Sequence, residues 1–129
     1  MSFVKIIYDN NSYDYENANS TTMAILGLFL SSDVGCGSRI NTWPSFKDWT
    51  LDDSLGECLS GNITRLEKEN DNILLTNLYS EEKIPTVLKM SRDQFIKLLD
   101  DWDKKVCKLE PKEVTITYNN DEFVIKTKD

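Results

Sequence analysis

Two groups of carboxylates are the residues in this chain whose type and spacing come nearest to doing chemistry. Asp100, Asp101 and Asp103 crowd around Trp102, and oxygen ligands at that density suit magnesium or calcium. On a helix, however, successive side chains fan around the axis, and Lys97, Lys104 and Lys105 compete for the same carboxylates. A solvated, ion-paired helix face is the preferred reading. Asp53 and Glu57, four residues apart and beside Asp52, could share a face as an acid–base pair. One helical turn does not make a catalytic dyad. Histidine is absent from the sequence, which removes Ser–His and Cys–His nucleophiles, imidazole acid–base catalysis and His-containing metal sites. Cys36, Cys58 and Cys107 are widely spaced and odd in number, so they read as free thiols of a reducing compartment. Cys36 lies in Gly35-Cys36-Gly37-Ser38, a flexible connection without the Gly-Lys-Ser/Thr ending of a phosphate-binding loop. No catalytic residue, metal or cofactor is assigned.

The elements that must position these residues follow from periodicity. Phe3 to Tyr8 alternates as a strand, Asp9 to Ser12 turns, and Tyr13 to Tyr15 returns. A helix capped at Asn19, Ser20 or Thr21 runs to Leu30 or Ser31, apolar nearly all round and therefore buried. Residues 34–62 are irregular and hold four of the five glycines; Thr50 and Asp53 weakly resemble a capping box for one short helix. Ile63–Lys68 and Asn72–Asn77 bracket a hairpin turn, and Lys83–Met90 reads as an extended piece. Ser91 and Gln94 form a good capping box, followed by Phe95, Leu98, Leu99, Trp102 and Val106 at helical spacing. Val114–Tyr118 and Phe123–Lys126 flank Asn119-Asn120-Asp121 as a second hairpin. This order predicts one α+β domain over residues 1–129, with two principal helices packed on a mainly antiparallel sheet.

Charge narrows the choice of partners. Fifteen bases and 22 acids leave a net charge of −7, which repels a phosphate backbone or an anionic membrane and favours a basic protein. The longest apolar run, Met23 to Leu30, falls far short of the roughly 20 residues of a membrane span. Met-Ser-Phe-Val-Lys at the start lacks the features of a secretory signal, so a cytoplasmic location is expected. Residues 1–60 hold eight acids against three bases, and that excess is mixed with large aromatic residues. Asp33, Asp48, Asp52, Asp53 and Glu57, with Trp43, Phe46 and Trp49, are therefore the candidate partner-binding residues: an acidic rim around aromatic anchors. The competing reading places the tryptophans in the core and leaves the acids to solubilise.

Met90 to Trp102, continuing through Lys108-Leu109-Glu110-Pro111-Lys112-Glu113 into Val114-Thr115-Ile116, resembles the closing helix and hairpin of small bacterial immunity proteins. The similarity is to those of contact-dependent growth inhibition systems in particular, and covers about the last third of the chain. It implies a cytoplasmic protein that is not an enzyme and that binds the toxic C-terminal domain of a cognate effector, in many cases a nuclease with a basic surface. Carboxylates would then occupy the field meant for a nucleic-acid backbone. An adaptor presenting a strand edge, or a metal-dependent hydrolase built on the two acidic groups, are the alternatives.

Overall fold

Hairpins with left-handed asparagine turns generate most of the sheet structure. The computed structural model describes residues 1–36 and 43–129. β1 (Ser2–Asp9) and β2 (Ser12–Ala18) join through Asn10 and Asn11 at φ 51° and 66°, and Glu16 bulges out of their register. The last hairpin is built alike, with Asn120 and Asp121 at φ 53° and 60°; short polar side chains tolerate this region best after glycine. Its strands are β7 (Glu113–Asn119) and β8 (Glu122–Lys128), and β7 pairs with β1 to give a four-stranded sheet in the order β2-β1-β7-β8. A second antiparallel sheet contains β3 (Cys58–Ser60), β4 (Thr64–Glu69), β5 (Asn72–Asn77) and β6 (Leu88–Ser91) in chain order. The expected α+β class is the observed one, with its antiparallel strands divided between two sheets.

The helices fill the space that the sheets enclose. α1 (Thr21–Leu28) is capped by Ser20, whose side chain accepts from the Met23 amide. Gly27 sits so tightly on Val4 that a β-carbon there would collide with its side chain and crowd Tyr15. Phe29–Val34 continues α1 as wider π-type turns, with the Ser31 hydroxyl donating to the Gly27 carbonyl. α2 (Phe46–Leu51) and α3 (Arg92–Trp102) both start with complete capping boxes, Ser45 with Asp48 and Ser91 with Gln94. Phe29 meets Phe46 edge-on at 5.0 Å and stacks on Phe95 at 5.7 Å, tying all three helices into one core. Val4, Ile6, Val114 and Ile116 line it from one sheet, Leu66, Ile73, Leu75 and Met90 from the other.

Several expectations are corrected. Cys36 and Cys107 are not free thiols: they form a disulfide between residues 71 apart in sequence, and Cys58 alone is free and exposed. Sequence spacing could not show that the π-type turns after α1 and α3 bring these two positions together. The weak capping box at Thr50 and Asp53 gives way to the one at Ser45 and Asp48; Thr50 is buried and donates to the Phe46 carbonyl. Of the extended piece Lys83–Met90 only the end, from Leu88, pairs as a strand. Gly37 and Ser38 of the glycine-rich connection lie outside the described residues. Among the described residues, no helix is long and apolar enough to cross a membrane.

Candidate functional site

Three carboxylates of the acidic segment from Ser45 to Glu57 are held by hydrogen bonds, those of Asp48 and Asp52 within the segment and that of Asp53 to the rest of the fold. Asp48 accepts from the Ser45 amide at 3.0 Å as the reciprocal half of the capping box. Asp52 caps the tight turn Asp53–Leu55, accepting from the Ser54 hydroxyl at 2.6 Å and from its amide at 3.0 Å. Asp53 accepts from Arg92 at 2.8 Å and lies 3.5 Å from the Lys68 ammonium, while its own side chain stays 74% exposed. These contacts hold both aspartates below the usual carboxylate range: hydrogen bonds from Ser54 act on Asp52, and the Arg92 guanidinium acts on Asp53.

Lys68 is the hidden part of this arrangement. Its side chain is only 5% exposed, and its ammonium stands over the Trp49 ring at 4.6 Å and donates to the Asp52 carbonyl. Arg92 adds bonds to the carbonyls of Thr50 and Asn70. Asp53, Glu57, Lys68, Asp71 and Arg92 surround an open polar depression of about 540 Å³.

The candidate residues therefore separate into two sets. Asp53 and Glu57 come together at this rim, Asp52 adjoins them as the cap of the turn, and Trp43 is exposed at 64%. Phe46 and Trp49 do not reach the surface; both belong to the core, so as partner anchors they are corrected to packing residues. Asp33 is corrected likewise. It is buried, and its carboxylate accepts from the amides of Asn62, Ile63 and Thr64 at 2.8–3.0 Å and from the Thr64 hydroxyl. An acid following Ser31 and Ser32 in sequence gave no sign of that turn, which arrives from 29 residues away.

The other acidic group disperses as the helix geometry predicts. Asp100 pairs with Lys47, Asp101 with Lys97 and Asp103 with Lys108, each in a different direction. Among the described residues no cluster of three or more Cys, Asp or Glu is arranged to hold a metal ion.

None of the candidate residues read from the sequence lies in the connection between β5 and β6. Leu78, Tyr79, Ile84 and Val87 are all exposed there, and the same connection forms one wall of a groove of about 420 Å³ along α1. The available signal was a run of large apolar residues around Glu81-Glu82-Lys83 and Pro85, which fits no buried strand. The chain matches no family model, no curated protein and no solved structure.

Proposed function

We propose that this chain is an inhibitory binding protein, an immunity protein that covers a basic working surface on the toxic C-terminal domain of a cognate effector, a nuclease in the first instance. The observation that carries the proposal is the fastening of the acidic turn: Asp52 and Asp53 are held in place by Ser54, Arg92 and Lys68, contacts that favour their charged form. Preorganised carboxylates lose little freedom on binding a cationic surface, so more of the attraction survives as affinity. With Glu57 and exposed Trp43 they form the contact set under this reading. The net charge of −7 adds long-range steering toward a basic partner.

Cytoplasmic residence belongs to the same proposal. The Cys36–Cys107 bond pulls the other way, since structural disulfides persist in oxidising surroundings. Alkylating thiols in intact cells before lysis decides between them: a cytoplasmic chain carries three alkylated cysteines, an exported one carries only Cys58. The binding reading is tested by mixing the purified chain with the toxic domain of the effector encoded beside it. A nanomolar complex with the toxic activity abolished supports it. Undiminished activity without a complex rejects it.

A further inference from the structure

The connection between β5 and β6 exposes apolar surface in a way no other part of the described chain does. Leu78, Tyr79, Ile84 and Val87 fall within ten consecutive residues and are 44%, 74%, 87% and 44% exposed. Other exposed apolar residues, such as Leu109 and Val124, stand singly, which is ordinary for a protein surface. Four large apolar side chains exposed on one short connection are not ordinary, and mark a surface that another molecule covers.

The segment is braced. The Leu78 amide donates to the Ile63 carbonyl at 2.7 Å, and the Tyr79 amide to the Asn77 side chain at 2.8 Å. Glu82 accepts from the Ser80 and Thr86 hydroxyls, which folds the acidic tip back on itself. Its apolar side chains are thus presented outward by a held backbone. Beside it, Ala24, Ile25 and Leu28 of α1 floor the groove, and the only charged side chains among its described walls are Glu81 and Glu82. Lys83 is exposed but is not one of those walls.

We infer that this groove and the Leu78–Val87 connection form a docking surface for a protein segment that presents an apolar side chain flanked by lysine or arginine. Apolar anchor and acidic wall then match the partner at once, the anchor slowing release and the acids speeding encounter. A second copy of this chain is a poor occupant, because it carries the same net charge of −7 and the same acidic walls. An anionic membrane is repelled on the same ground.

The inference rests on the inhibitory reading and adds to it a contact surface outside the Asp52–Glu57 rim. The test measures binding of the toxic domain of the adjacent effector to the wild-type chain, to Ile84→Asp and to Glu81→Lys. Ile84 makes almost no packing contact at its exposure, and Glu81→Lys leaves the Glu82 hydrogen bonds in place, so both variants keep the fold; matching thermal melts check this. Ile84→Asp is expected to weaken binding at least tenfold, chiefly through faster dissociation, and Glu81→Lys to slow association several-fold at low salt. Wild-type binding that neither variant changes by more than twofold overturns this inference and leaves the inhibitory reading standing. A wild-type dimer abolished by Ile84→Asp also overturns it, by giving the patch to a second copy. A wild-type chain that binds no toxic domain takes both readings down together.

Discussion

Arg92, the first residue of α3, donates to Asp53 at 2.8 Å across 39 residues of chain. The same guanidinium holds the Thr50 and Asn70 carbonyls, so one side chain ties α2, the turn after it and the β4–β5 hairpin together. Lys68 reinforces the tie from beneath, between the Trp49 ring and Asp53. The acidic rim is therefore a consequence of packing two cations under it. Arg92→Met is expected to destabilise the fold by about 1–3 kcal/mol, because carbonyls are left unpaired. Asp53→Asn costs less, since Arg92 keeps its carbonyl partners and an exposed ion pair contributes little. Urea denaturation of the two variants checks the order.

Acid should loosen the same corner. Asp52 and Asp53 titrate lower in the fold than in the unfolded chain. Their contribution to stability is thus complete above the ordinary aspartate range and is lost as pH falls through the depressed native values. Stability measured from pH 6 down to about pH 2 is expected to fall less steeply in Asp52→Asn/Asp53→Asn than in the wild type. Parallel curves would mean that the hydrogen bonds at Ser54 and Arg92 do not discriminate between charge states.

Asp33 is expected to be among the most sensitive polar positions. Removing its carboxylate leaves the amides of Asn62, Ile63 and Thr64 without their acceptor in a partly dry site. Asp33→Ala is expected to cost roughly 2–4 kcal/mol, and Asp33→Asn, which keeps one acceptor oxygen, clearly less. Chemical denaturation measures both. Equal losses would show that carboxylate charge, rather than acceptor number, decides.

The disulfide makes a chemical prediction. Protein isolated without reductant and then denatured should show one titratable thiol, Cys58, and three after a dithiol reductant. Reduction is expected to cost roughly 2–4 kcal/mol, since the bond closes a long loop in the unfolded chain. The Trp102 indole bond to the Gly35 carbonyl, at 2.9 Å, remains to hold the two ends near each other.

What the sequence made legible is what is local. Ser91 and Gln94 satisfy each other's amides three residues apart, and the stripe Phe95, Leu98, Leu99 and Trp102 follows directly, so α3 was readable to the residue at its start. Asn120 and Asp121 marked the last hairpin for the same reason. Relations that depend on distant chain were not readable. Trp49 looks like an anchor among acids until Lys68, from strand β4, is found covering it. Asp33 looks like a surface acid until the turn before β4 closes on it. Cys36 and Cys107 look unrelated until two stretches of π-type turn bring them together. At the rim, Asp52, Asp53 and Glu57 were legible as a group because they are close in sequence, but their supporting cations were not.

Charge at the rim is most directly tested by the rate at which the complex forms. Under the proposed inhibitory role, stopped-flow association of the chain with a cognate toxic domain, across a salt series, reports steering without reference to any enzyme assay. Wild-type association is expected to slow steeply as salt rises, and Asp52→Lys/Glu57→Lys to associate at least tenfold more slowly at low salt with a flatter dependence. Identical rates and slopes for the two proteins would contradict the view that this chain works by laying fixed negative charge against a basic surface.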